Sequence, residues 1–218
     1  MPFGGSGSTC TSLLPMRRIT VAVAQTIARP GDILGSIEDH VRLANEAADR
    51  GARLVVFPEL SLTGYDRRLT AADAVSPDDR RLAPLRGVAD RRAVHVVVGA
   101  PLVSARGFHI GALCLAPHRA AAVYTKRYLH EGEQVAFVPG DGGDLLEVDG
   151  AAVAVAVCAD SAHPEHAAEA AARGARVYAA SSFMTPAGYA ADAARLERYA
   201  RAHHLAVMMA NYGAPVGG

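Results

Sequence analysis

An α/β fold of layered, covered sheets is predicted by three observations. Short apolar runs recur along the chain, stretches with helical apolar spacing separate them, and the runs are continuously apolar rather than strictly alternating. The chain has 218 residues, 50% hydrophobic and 20% charged, which fits one domain with a substantial core.

The elements follow in order. Residues 1–15, MPFGGSGSTCTSLLP, are rich in Gly and Ser and lack a basic n-region and an apolar h-region, so they read as a loose leader before a domain at 16–218, with Met16 as the candidate true start. Residues 19–26 read as a buried strand. Residues 32–52 read as a helix with Ile33, Leu34, Ile37, Val41, Leu43 and Ala44 on its apolar side and Gly51 as its stop. Residues 53–60 form a second buried strand, 78–93 a helix and 94–103 a third strand. Two neighbouring strands follow at 110–117 and 119–126, and a hairpin over 144–160 turns at Asp149-Gly150. A helix at 163–175 carries Pro164 in its first turn and Gly174 as its stop. The segment 176–182, a helix at 190–204 and a strand at 205–213 complete the pattern. The chain ends in GAPVGG directly after that strand, which suggests a mobile C-terminus or a fragment.

Composition narrows the function. Formal net charge is zero and the two signs are interspersed, leaving no electrostatic footprint for nucleic acid or an anionic membrane. A small-molecule or protein partner is expected instead. No apolar run approaches the roughly 20 residues that cross a bilayer, and the three cysteines, Cys10, Cys114 and Cys158, are odd in number with no CxxC. A soluble protein in the cytoplasm, without a disulfide framework, is the expectation. Cys114, between apolar neighbours, reads as an inert core thiol.

Three ionisable side chains end apolar strands, the place where α/β folds put their sites. Lys126 is the only lysine among 22 basic residues. Its ammonium is compact, swivels its donors and can lose a proton, which a guanidinium does not. Cys158 lies at a strand-to-helix passage, where a helix N-terminus would favour a thiolate. Glu59 directly follows Val55, Val56, Phe57 and Pro58, and partial desolvation there raises a carboxylate pKa and suits it to take a proton from a thiol. Singly, each also has a plain reading: a surface cation, a core thiol, a strand-end glutamate.

The segments VVFPELSLTGYD (55–66), YTKRYLHEGEQVAFVPGD (124–141) and VAVCADSAHPEHA (155–167) closely resemble, in order and spacing, the three signature segments of the nitrilase, or carbon–nitrogen hydrolase, superfamily. The likeness runs from residue 17 to the final strand. It implies a four-layer α-β-β-α sandwich and a Glu-Lys-Cys triad. By motif, Glu59 becomes the general base, Lys126 the oxyanion-stabilising cation and proton donor, and Cys158 the nucleophile that forms a thioester. A second glutamate that positions substrate and lysine falls on Glu133, with Glu131 as the other candidate. The oxyanion hole adds the main-chain N–H of Ala159. Tyr65, His130, Phe183 and Met184 are candidates for shaping the substrate pocket; read plainly, they are loop packing and core.

The resemblance further implies a small amide and water as reactants, no cofactor, and pairing of subunits through helices flanking the nucleophile. Ala159 and Asp160 stand where true nitrilases usually carry Trp and Glu, and the chain has no Trp, which favours amides over nitriles. Family members usually run several dozen residues further, with another strand and a closing hairpin; lacking them would expose a sheet edge. Nitrilase and N-carbamoyl amide hydrolase remain alternatives, as does a truncated non-catalytic homologue acting as an interaction module. His163, Glu165 and His166 form a candidate metal cluster, but the histidines lack an obvious third ligand helix, so no metal is assigned. A Cys-His thiol enzyme is a further alternative, with His130 the nearest partner by motif.

Overall fold

The computed structural model describes residues 18–214. The expected leader and Cys10 lie outside the described residues. Among the described residues, nine strands build two sheets. The first holds β1 (Val21–Val23), β2 (Leu54–Val56), β3 (His95–Ser104), β4 (Gly107–Leu115) and β5 (Ala122–Thr125), in that order. The second holds β6 (Leu146–Val148), β7 (Ala151–Val157), β8 (Val177–Ser181) and β9 (Ala206–Ala210). β1, β2 and β3 run parallel, and β4 and β5 return antiparallel; β6 is antiparallel to β7, and β7, β8 and β9 are parallel. Helices α1 (Ile33–Asp49) and α2 (Ala83–Arg92) cover the first sheet, and α3 (Pro164–Ala172) and α4 (Pro186–His203) the second.

Three apolar layers separate these four. Alternation along the strands sorts side chains between them, because successive residues point to opposite faces. On β2, Val55 faces the helices while Leu54 and Val56 face the other sheet. On β7, Val153, Val155 and Val157 enter the layer between the sheets, whereas Ala154 and Ala156 face α3 and α4. β-Branched residues thus fill the space between sheets, each buried valine contributing roughly 1.5–3 kcal/mol. Alanines let the helices approach closely. The chain adopts the four-layer α-β-β-α sandwich.

Local chemistry sets the element boundaries. Asp32 caps α1 by accepting from the Gly35 N–H at 2.9 Å, and Asp149 and Gly150, both at positive φ, make the tight turn between β6 and β7. Two expectations needed correcting. The strand expected at 110–117 begins at Gly107 and forms a long hairpin with β3, with Ser104 paired to Gly107. The last helix begins at Pro186 rather than residue 190, because Thr185 accepts from the Gly188 N–H and Pro186 occupies its first turn, so residues that look like breakers are its cap.

His40 on α1 is completely buried, stacked on Phe57 at 4.1 Å. The Ser36 carbonyl lies 2.6 Å from its Nδ1, so that nitrogen carries the hydrogen and Nε2 accepts from Ser61 Oγ at 2.9 Å; Ser61 Oγ in turn accepts from the Gly99 N–H at 3.2 Å. Burial lowers the His40 pKa from 6.5 to about 4. Between those values the unfolded chain binds a proton that the folded one refuses, so stability is whole above pH 6.5 and falls as pH drops toward 4. Urea denaturation is expected to show a loss of up to roughly 3 kcal/mol from this group across that window. A His40→Gln variant should lose that component of the pH slope.

Candidate active site

Glu59 sits just past β2 on a turn that crosses over β3. Leu60 takes φ 50°, and a Cβ on Gly99 would come within 2.3 Å of the Pro58 carbonyl oxygen and the Leu60 nitrogen. Only glycine permits that approach. The turn is also tied to the second sheet: the Glu59 N–H donates to the Ser182 carbonyl at 3.4 Å, Tyr212 Oη donates to the Glu59 carbonyl at 2.7 Å, and Ser181 Oγ donates to the Phe57 carbonyl at 2.7 Å. Lys126 follows β5, its N–H donating to the Ile110 carbonyl at 2.8 Å and its carbonyl accepting from Gly140 at 2.7 Å.

The lysine and two glutamates meet inside the protein. Lys126 Nζ donates to Glu59 Oε1 at 2.7 Å and to Glu133 Oε1 and Oε2 at 2.9 and 2.8 Å. Side-chain exposure is 0% for Lys126 and Glu59 and 1% for Glu133, so these charges have exchanged water for one another. Glu133 is saturated, because the Tyr65 hydroxyl at 3.0 Å and the His130 N–H at 2.7 Å also donate to it. Glu59 keeps one buried oxygen, Oε2, that accepts from no nitrogen donor, and the Cys158 thiol is the other side chain that hydrogen-bonds with this carboxylate. That oxygen is placed to receive a proton; Glu133 has no acceptor capacity to spare.

Cys158 ends β7 and starts a five-residue 3-10 turn, Cys158–Ala162, at φ 43°. A non-glycine residue rarely holds that conformation, and it turns the side chain out of the sheet at the junction. The Cys158 thiol donates to the Phe183 carbonyl at 3.4 Å, and Glu59, Lys126 and Glu133 all act on it electrostatically. The expectation of a thiolate favoured by a helix N-terminus is corrected. The 3-10 turn separates the sulfur from α3, and burial, then the Glu59 charge, push its pKa up despite Lys126. A base must therefore remove its proton. Burial also raises the Glu59 pKa, against the pull of Lys126. For Lys126 burial acts downward, but the charges of Glu59, Cys158 and Glu133 outweigh it and the pKa rises.

The remaining candidates divide. Glu131 is exposed, so Glu133 is the glutamate that reaches the lysine. His130 is exposed as well, its ring bonded to the Glu131 carbonyl at 3.2 Å, and it reaches the cluster through its main-chain N–H. Tyr65 lies against the Phe183 ring at 4.8 Å. Phe183 and Met184 line a cavity of about 450 Å³ together with Thr185, Tyr189, Asn211 and Tyr212. Ala159, next to the nucleophile candidate, is half-buried. His163 stacks on Tyr128 at 3.7 Å while His166 turns inward to the Tyr124 and Tyr178 hydroxyls, so HPEH does not converge on one point. No group of three metal-binding side chains occurs among the described residues.

The family model for carbon–nitrogen hydrolases matches residues 20–214. The chain belongs to the carbon–nitrogen hydrolase family. Among solved structures, an amidase from Nesterenkonia sp. AN1 superposes on this chain with a TM-score of 0.79 at 28% identity, over 91% of this chain and 78% of the amidase. In a glutamate-to-glutamine mutant of that amidase, acrylamide has added to the active-site cysteine. Among curated relatives, a hydrolase from the pqqF 5′ region of Pseudomonas protegens is 28% identical over 83% of this chain and 65% of its own length. A nitrilase from Pyrococcus abyssi is 31% identical over 63% of this chain and 55% of its own length. The chain thus spans less than two thirds of the length of these curated relatives.

Gly99, Tyr212 and Ser181 were not singled out from the sequence. Gly99 had a readable signal, a glycine within an apolar strand run, which marks a close backbone approach. Lys126→Met leaves two buried carboxylates with no cation and is expected to cost about 3–5 kcal/mol in urea denaturation at pH 7. Part of that loss should return as pH falls, since a raised folded pKa means protonation of Glu59 favours the folded state.

Proposed function

We propose that this hydrolase cleaves the C–N bond of a small amide through a thioester on Cys158. The observation that carries the reading is Glu59, held by Lys126 through one oxygen and hydrogen-bonding with a Cys158 thiol that needs a base. As Cys158 Sγ attacks the carbonyl carbon, its proton passes to Glu59 Oε2, and the carbonyl π pair becomes the oxyanion. The charge of Lys126 and the Ala159 N–H stabilise that oxyanion. On collapse the C–N bond breaks, Lys126 protonates the departing nitrogen, and Glu59 gives up the proton it took, which restores the ammonium. Water then attacks the thioester with Glu59 again as base, and the carboxylic acid leaves as the thiol is restored. Glu133 holds the ammonium and takes no proton, because its oxygens are already occupied by Lys126, Tyr65 and His130.

Amides are favoured over nitriles by the residues after the nucleophile, Ala159 and Asp160, and by the likeness to the Nesterenkonia amidase.

Intact mass spectrometry after mixing with a panel of small amides and nitriles is expected to reveal an acyl adduct on Cys158, formed from amides and absent in Cys158→Ala. Adducts formed from nitriles alone would reverse the substrate assignment, and no adduct from any member of the panel in the wild type would count against catalysis. Glu59→Gln should lower kcat about 10²–10⁴-fold. Because Glu59 acts as the carboxylate and its pKa is raised, the acid limb of kcat/KM should lie above pH 4.5.

A further inference from the structure

Asp160, two residues beyond Cys158, is completely buried, and no cation is paired with it among the salt bridges of the described residues. Four hydrogen bonds compensate it instead. Oδ1 accepts from the N–H groups of Arg127 and Tyr128, both at 3.0 Å. Oδ2 accepts from the Tyr124 hydroxyl at 2.7 Å and from the Val157 N–H at 2.9 Å. Three of these donors flank Lys126 in the first sheet's terminal strand and loop; the fourth immediately precedes Cys158 in the second sheet.

Burial lowers the His166 pKa and keeps its ring neutral, and the network behind the carboxylate then has one consistent proton order. Tyr124 spends its single hydrogen on Asp160, so His166 Nε2, 2.8 Å from the Tyr124 oxygen, must be the donor there. His166 Nδ1 is then bare and accepts from the Tyr178 hydroxyl at 2.9 Å. Tyr178 belongs to β8, His166 to α3 and Tyr124 to β5, so one directed chain joins three elements and terminates on Asp160. An amide in place of the carboxylate would present hydrogens to donors and break the pattern.

We infer that Asp160 is a positioning residue that locks the Lys126 loop to the Cys158 turn, fixing ammonium and sulfur relative to each other across the two sheets. Its place beside the nucleophile is therefore structural to the reaction without touching substrate. The inference rests on the Glu59-Lys126-Cys158 reading, since it is the register of those groups that Asp160 sets. Misplacing catalytic groups by an ångström costs rate far out of proportion to any change in contacts.

The test is the rate of alkylation by iodoacetamide at pH 7, followed cysteine by cysteine by peptide mass spectrometry in wild type, Asp160→Asn and Tyr124→Phe. Cys114, sealed between the sheets, reports loosening of the whole protein in the same sample. Wild type should label at Cys158 with Cys114 protected. Asp160→Asn should label Cys158 about ten-fold or more slowly with Cys114 still protected, and Tyr124→Phe, which removes one donor and keeps the rest, should fall between them. Wild-type labelling rates at Cys158 in both variants would overturn the inference. So would fast labelling of Cys114 in both, which would make the network a matter of packing alone. Absence of selective Cys158 labelling in the wild type would instead sink the proposed reaction, a distinct outcome.

Discussion

Three charged groups stripped of water persist in a protein interior only if each finds partners, and in this molecule Lys126 is where that condition is met. Its ammonium has three hydrogens, and all three are spent on Glu59 and Glu133. The distribution is unequal. Glu133 receives two from the lysine and further donors from Tyr65 and His130, while Glu59 receives one and keeps its second oxygen free of nitrogen donors. Two carboxylates of the same kind thereby acquire different capacities, one a fixed counter-charge and the other a proton acceptor, through hydrogen-bond arithmetic rather than residue type.

The fold exists, in this reading, to keep that cluster and the sulfur at one place although they come from different sheets. Glu59 and Lys126 follow β2 and β5, Cys158 follows β7, and each junction between the sheets carries polar ties as well as valine packing. On the Glu59 side the ties run through Tyr212, Ser181 and Ser182; on the Lys126 side they converge on Asp160. Apolar packing is non-directional and tolerates small slips, whereas hydrogen bonds to main-chain N–H groups do not. The strained φ of Cys158 and the crowded crossing at Gly99 belong to the same economy of placement, backbone held in uncommon geometry by its surroundings.

Much of this was legible in the chain itself. Apolar runs pointed to β2, β3, β4 and β7 because strands buried on two faces leave continuous signals, and Asp149-Gly150 announced its turn. Glu59, Lys126 and Cys158 stood out as ionisable groups ending such runs, and the lone lysine drew notice by contrast with so many arginines. What stayed hidden was relational. The β3–β4 hairpin turns on Ala105 and Arg106, which carry no turn signature. Asp160 read as a mere substitution beside the nucleophile, since its four donors come from segments about 30 residues away or from the strand it follows. The strand-to-helix passage at Cys158 suggested a helix dipole, but a 3-10 turn intervenes, and burial followed by the Glu59 charge raises the thiol pKa.

The central claim is that the thiol proton leaves through Glu59. Its most direct measurement is the pH dependence of Cys158 alkylation in wild type against Glu59→Gln, from pH 5 to 10. With an internal base, the wild-type rate should rise through the Glu59 ionisation and then level off well below the raised thiol pKa, while Glu59→Gln should start far slower and climb with hydroxide throughout. Superimposable profiles for the two proteins would contradict the account, because the sulfur would then be losing its proton without the glutamate.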